Sequence, residues 1–295
     1  MKRTVRVGSR DSVLAVIQAQ IVMKAVKETD PSVEFELVTI KTTGDSDFNR
    51  NADEVSGKGL FIRELEQAIA DGSIDIAVHS YKDMPHEETV DLPVVALSTR
   101  DSPFDVLVLP QGADVPDRLR PVGSSSLRRT IQFARLYDRF TIKPVRGNVP
   151  TRLAKLDNGE YAALILAHAG LNRLSLQDRV SRVFTPDEMI PAASQGILAV
   201  QGRRGENYAY LDRFHSRRSE IVSRAERQFL KTLGSGCSSP AAVFAQLHNN
   251  ELHLTGMYVD SSGRMETGKI SGGLDKAEQL GETLAKQLQT RLDKG

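Results

Sequence analysis

The chain of 295 residues has no tryptophan, a single cysteine and only 5% aromatic residues. One thiol, Cys237, excludes an internal disulfide and any cysteine-rich metal site. The six histidines are scattered, with neither an HExxH nor a paired spacing, so no metal-ligand pattern is present. No apolar run approaches the ~20 residues of a membrane-spanning helix. The opening MKRTVRVGSR has no signal-peptide core, and a cytoplasmic location is the expectation. Net charge is only +1, which leaves no global field to hold nucleic acid or an anionic membrane. With so few aromatics there is little for base stacking either, which weighs against an RNA-binding module. Neither GxxxxGK(S/T) nor GxGxxG occurs, and the Gly-Lys-Gly at 57–59 is too short for a phosphate loop.

What is present is the composition of a globular protein, 40% hydrophobic and 26% charged, long enough for two or three domains. Strand and helix patterns alternate. Strands are expected at 4–8, 35–40, 74–78, 94–97, 106–109, 140–145, 162–167 and 197–200, with a short one leading into Ser126. Helices are expected at 13–28, 59–70, 127–137, 151–156 and 219–233. The last part alternates over 242–247, 251–259 and 265–270 and closes on a helix at 274–292, the pattern of a small antiparallel sheet with helices. Residues 42–58 are polar and long for a connection, and a lid over a site is their expected role.

The most informative stretch runs from Gly123 to Arg152. Gly123-Ser124-Ser125-Ser126 reads as a strand entering a helix start, where free N–H groups favour an anion. Arg128 and Arg129 follow in the first turn, the wrong end of the helix dipole for a cation. That placement points to a purpose other than helix stability. Arg146 and Arg152 sit at the next junctions, and residues 118–182 hold eleven Arg against two Lys. A solvated basic face is the bland account of any one of them. As a set they read as a cradle for carboxylates or phosphates, which arginine grips two-pronged.

Three other residues bear chemistry. Asp83 follows a buried strand within His79-Ser80-Tyr81-Lys82-Asp83, at the strand end where open α/β sheets bind ligands. In a site rich in arginine a retained carboxylate can stabilise a developing cation; otherwise it is a solvated loop acid. His79 reads as a hydrogen-bonded core histidine. Cys237, between Gly-Ser-Gly and Ser-Ser-Pro, reads equally as a small buried apolar residue or as a nucleophile that bonds an electrophile.

VHSYKDMP (78–85), GSSSLRR (123–129), RGNVPTRL (146–153), LAHAGLNRL (166–174) and GSGCSSP (234–240) together resemble the hydroxymethylbilane synthase, or porphobilinogen deaminase, family. FIRELEQAI, AASQGILAV and AERQFL fit the same family in the same order, so the resemblance spans nearly the whole chain. It implies an α/β fold of three domains. Two are lobes like periplasmic binding proteins joined by a hinge crossover, and the third is a small C-terminal α+β domain with a three-stranded antiparallel sheet and helices. The implied bounds are 1–97 plus 196–214, 98–195 and 215–295. The implied activity is that of a transferase: it condenses four porphobilinogen molecules head to tail, releases ammonia each time, and hydrolyses the product to hydroxymethylbilane.

The same resemblance implies a dipyrromethane cofactor held by a thioether at Cys237, and Asp83 as the catalytic carboxylate. It assigns Arg10, Arg128, Arg129, Arg146, Arg152 and Arg173 to the acetate and propionate groups. Ser80, Lys82, Ser126, Gln195 and Gly196 match other cofactor-contacting positions, and Lys58 and Phe61 match an active-site loop. No metal, nucleic acid or membrane is implied, and a monomer is. Departures from the family pattern are Tyr81, Ser235, Ser238-Ser239 and Gln201. The competing expectation is a non-catalytic carboxylate-binding protein of two hinged α/β lobes.

Overall fold

The structure is a computed structural model and describes residues 3–41, 62–87, 89–234 and 240–294. Lys58, Phe61, the whole 42–58 connection and Cys237 with Ser235, Ser238 and Ser239 lie outside the described residues. The chain folds into two compact units, one of 1–101 with 197–220 and one of 102–196 with 221–295.

Unit 1 is built on a five-stranded sheet. Its strands are β1 (Arg3–Arg10), β2 (Val33–Ile40), β3 (Ile76–Ser80), β4 (Val94–Leu97) and, from the returning chain, β10 (Leu198–Gly202). Their order is β2-β1-β3-β10-β4. β1 runs parallel to β2 and β3, whereas β10 runs antiparallel to β3 and β4. The Val13–Thr29 helix begins where Ser12 caps it, its hydroxyl accepting from the Ala15 N–H at 3.4 Å. Its Ala19, Val22 and Val26 pack with Val5, Val7, Val78 and Val200 in one apolar layer. Leu65 and Ile69 of the Arg63–Ala70 helix join Ile74, Ala77 and Leu92 in another. A sheet buried on both faces explains why β3 and β10 read as apolar runs, while β1 alternates.

In unit 2 the strands are β5 (Asp105–Val108), β6 (Val122–Gly123), β7 (Ile142–Lys143), β8 (Ala163–Ala167) and β9 (Arg182–Val183), in the order β7-β6-β8-β5-β9. Here too three strands are parallel and the fourth in order, β5, runs antiparallel to its neighbours. In each lobe the antiparallel strand is the first one after the chain crosses from the other unit. That reciprocal exchange is the two-lobed, crossover arrangement expected.

The same unit holds a third sheet, an antiparallel meander of β11 (Ala241–His248), β12 (Glu251–Val259) and β13 (Met265–Gly273). The Ala277–Lys294 helix lies across it, with Leu284 and Leu288 against Gly256 and Gly268. Phe244, Met257 and Val259 of this sheet pack with Ile190, Phe104 and Ile131 of the neighbouring lobe.

Several boundaries differ from expectation, and four of them bear on the site or its sheets. β3 runs to Ser80 rather than ending at Val78, because β10 pairs with it through Leu198↔Ser80. His79 and Ser80 therefore belong to the strand. β5 starts one residue early, at Asp105, which pairs with Ala167. The strand expected at 140–145 shrinks to two residues, since Pro144 has no N–H to donate. His168–Arg173, read as a connection, is a short helix.

Candidate functional site

Two sets of expected residues occur, one on each unit. In unit 1, Arg10 ends β1 and Ser80 ends the parallel strand β3, so both stand at the C-terminal edge of the sheet. The Ser80 hydroxyl is held by the Gln18 amide, which donates to it at 2.9 Å. Tyr81–Asp83 then form one 3-10 turn. Tyr81 and Met84 are buried on either side of it, and the Tyr81 N–H donates to the Ile197 carbonyl at 3.0 Å. The turn is thus clamped from below while Asp83 stays exposed and Lys82 half-buried. Tyr81, a departure from the family pattern, acts here as the buried anchor of that turn.

His79 lies in the core as expected, 7% exposed, but among the described residues its buried Nε2 makes no hydrogen bond, so the ring is not hydrogen-bonded there as expected. Burial pushes its pKa down to about 4; the neighbouring Gln201 side chain opposes that, and the Arg10 charge adds to it. It is a neutral ring at neutral pH. Gln201, the other departure on this sheet, donates from Nε2 to Glu66 Oε1 and to the Leu92 carbonyl, both at 2.9 Å. Its role in unit 1 is structural. An open depression lined by Val38, Ile40, Ala68 and Ile74 holds none of the expected site residues.

In unit 2 the helix start is as the sequence suggests. Ser126 is the N-cap of the Leu127–Leu136 helix, its hydroxyl accepting from the Arg129 N–H at 3.5 Å. Ser125 Oγ donates to the Val145 carbonyl at 2.7 Å and accepts from the Val145 N–H at 3.0 Å, which fixes the backbone just before Arg146. Asn148 caps the Val149–Asp157 helix, and the Arg152 Nε donates back to the Gly147 carbonyl at 2.7 Å. Arg146 is exposed and Arg152 half-buried. The Arg173 Nη2 donates to the Gly196 carbonyl at 2.7 Å. Gly196 takes φ 91°, a left-handed turn that suits glycine.

Arg128 and Arg129 are not on a solvated face. Both are buried, at 6% and 8% exposure, against Asp105, which has none. Arg128 Nη1 donates to Asp105 Oδ2 and to the Ile190 carbonyl, each at 2.7 Å. Arg129 grips Asp105 Oδ1 with Nε at 2.9 Å and Nη2 at 2.7 Å, and donates from Nη1 to the Ile165 carbonyl. Gln195, 1% exposed, completes the group: Nε2 donates to Asp105 Oδ1 at 3.0 Å and to the Pro103 carbonyl at 2.6 Å. Burial raises the Asp105 pKa, but the two guanidinium charges outweigh it and hold the carboxyl well below its usual range. Two cations on one anion leave the cluster net positive.

Asp105 is the member of this buried cluster that sequence reading missed. Its signal was an acid heading the apolar run Val106–Leu109 in an arginine-rich span. The Asp105 pair makes the unfavourable first-turn arginines tolerable, at a dipole cost of about 1 kcal/mol or less, without itself requiring that placement. Among the described residues no group of histidine, cysteine and acidic side chains could hold a metal ion, and no helix is long and apolar enough to cross a membrane.

Comparison with known proteins bears on both sets. Residues 5–210 match the model of the porphobilinogen deaminase dipyromethane cofactor binding domain, and 221–290 that of the porphobilinogen deaminase C-terminal domain. Porphobilinogen deaminase of Alkaliphilus oremlandii is 49% identical over 96% of both chains. That of Acetivibrio thermocellus is 50% identical over 96% of this chain and 97% of its own. Among solved structures, the methionine-binding protein MetQ overlaps with a TM-score of 0.44 at 13% identity, covering 72% of this chain and 88% of that one. The chain belongs to the porphobilinogen deaminase family.

Proposed function

We propose that this chain is a transferase that joins four porphobilinogen molecules head to tail, releasing ammonia at each addition and water-cleaving the product to hydroxymethylbilane. The observation that carries the reading is family membership over nearly the full chain. Each pyrrole ring brings two carboxylates, so a growing chain needs many charge-assisted hydrogen bonds, each worth roughly 1.5–3 kcal/mol. Arg10, Arg128, Arg129, Arg146, Arg152 and Arg173 are assigned to those carboxylates. Ser80, Lys82, Ser126, Gln195 and Gly196 are assigned to further contacts or to holding the arginines, and Lys58 and Phe61 to an active-site loop.

The residues present suit a poly-carboxylate group. Among the described residues Arg128 commits only Nη1 to protein partners, which leaves the Nε–Nη2 edge of its fork. Cys237 is the residue assigned to hold a dipyrromethane by a thioether, and that group would supply the pyrrole end from which the product is extended. Loss of ammonia from porphobilinogen leaves a cation that arginines repel. Asp83 is the carboxylate assigned to stabilise it and to move protons at the pyrrole nitrogens. Its exposure on a clamped turn suits a group that must meet substrate.

The domain bounds 1–97 with 196–214, 98–195 and 215–295 belong to the same reading, and each span carries one of the three sheets. A cytoplasmic location and a monomeric state also belong to it, checked by cell fractionation and by light scattering. Intact-protein mass spectrometry tests the centre of the proposal. The expected result is a surplus equal to two linked pyrrole units, absent from Cys237→Ser, together with ammonia release from porphobilinogen. A bare polypeptide mass without ammonia release overturns it in favour of a carboxylate-binding protein.

A further inference from the structure

The Asp105 cluster carries an inference that rests on the proposed function and deepens it. Asp105 is wholly buried in unit 2, at the head of β5, and no ligand could touch it directly. Its two oxygens divide the work: Oδ2 takes Arg128 Nη1, and Oδ1 takes the Arg129 fork and the Gln195 amide. Arg129 is thereby engaged at Nε and Nη2 by Asp105 and at Nη1 by Ile165. Arg128 is held differently. Only Nη1 is used, shared between Asp105 and the Ile190 carbonyl, and among the described residues Nε and Nη2 make no hydrogen bond. Its side chain keeps 7% exposure. The Nε–Nη2 edge of a guanidinium is one of the two edges that match a carboxylate two-pronged.

We infer that Asp105 is a positioning residue, which locks the Arg128 guanidinium by Nη1 so that its Nε–Nη2 edge is presented to a carboxylate of the pyrrole substrate or product chain. Three features support this over a purely structural ion pair. The carboxylate does not neutralise the group, since two arginines face one acid. Gln195 and the Ile190 carbonyl fix the cluster from further sides, so rotation of the Arg128 fork about its bond to Asp105 is blocked. Finally, a paired arginine at the second helical position loses dipole energy that a neutral residue would not. A pair kept only for stability gains nothing from that placement, whereas an anion site at a helix start does.

The test compares holoenzymes, with wild-type turnover of porphobilinogen and the two-pyrrole mass surplus established first. If the wild type shows neither, the functional reading itself has failed. With both in hand, Asp105→Asn keeps the shape and removes the charge that orients the fork. The expected outcome is a KM for porphobilinogen raised roughly ten- to hundredfold, with kcat of the cofactor-loaded fraction nearly unchanged, as for an interaction made equally in ground and transition states. A double-mutant cycle supplies the readout that mere destabilisation does not move. Arg128→Gln should raise KM in the wild type but add little in Asp105→Asn, while Arg146→Gln should add its full effect in both backgrounds. Should Asp105→Asn fail to fold, Asp105→Glu keeps the charge and shifts the fork by one methylene, with the same KM rise expected. A wild-type KM in either folded variant, or additivity with Arg128→Gln, overturns the inference. Failure of both variants to fold assigns Asp105 to stability alone and overturns it too.

Discussion

Glu226, fully buried on the Arg217–Thr232 helix, accepts the backbone N–H of Ser194 at 2.6 Å through Oε2. Its other oxygen accepts the Ala245 N–H of β11 at 2.7 Å. One side chain therefore satisfies two buried donors, one in the third sheet and one beside Gln195 and Gly196. Ser194 itself sits at φ 59°, a left-handed conformation that a non-glycine residue pays for in strain.

Glu226→Ala strands both donors, and each buried unsatisfied group costs about 1–3 kcal/mol. The expected loss of unfolding free energy is about 2–6 kcal/mol, with Glu226→Gln losing about half as much, because the amide offers one acceptor where the carboxylate offers two. Urea titration followed by circular dichroism measures both. Equal stability of Glu226→Ala and wild type would contradict the assignment.

Asp83 lies on an exposed turn, so Asp83→Asn should leave the unfolding midpoint within experimental scatter. Porphobilinogen consumption should fall by roughly two to four orders of magnitude, the usual contribution of a positioned proton-transfer group. A stable variant with unimpaired turnover would remove Asp83 from the reaction.

The two helices flanking the third sheet make a closer approach than any side chain allows. A Cβ at Gly281 would lie 2.2 Å from the Ala225 carbonyl oxygen and 3.0 Å from the Phe229 nitrogen. Both are backbone atoms and cannot swing aside. Alanine gains up to ~1 kcal/mol in helix propensity over glycine, but the clash outweighs it. Gly281→Ala is expected to destabilise by about 1–3 kcal/mol, read as a lowered thermal midpoint. A raised midpoint would show that propensity wins.

His79 makes stability depend on pH. Its folded-state pKa is depressed from 6.5 to about 4 by burial, so the unfolded chain binds the proton more readily. The neutral ring's contribution is whole above pH 6.5 and drains as pH falls toward about 4. The loss across that window is on the order of 3 kcal/mol. Unfolding free energies at pH 7 and pH 4.5 measure it, and His79→Gln should flatten the difference. An unchanged slope in that variant would place the titration elsewhere. Asp105 has the same sign at lower pH: its carboxyl is held below the usual range, so its stabilisation persists until stronger acid.

Much of this protein is set by local chemistry and so can be read along the chain. Ser126 and Asn148 cap helices because a short oxygen-bearing side chain meets free N–H groups wherever a helix begins. Apolar β3, β5 and β8 announce strands covered on both faces, and the glycine-rich and serine-rich blocks carry the family pattern. Tertiary structure alone decided what pairs with what across long separations. Asp105 meets Arg128 and Arg129 because β5 is antiparallel in its sheet, an arrangement that no local pattern encodes. Glu226 reads as one more charge on an amphipathic helix, yet it is buried on two backbone donors. The reason is the same for both. Side-chain periodicity reports which face of an element is covered, whereas a buried charge is explained only by the distant partner that makes its desolvation tolerable.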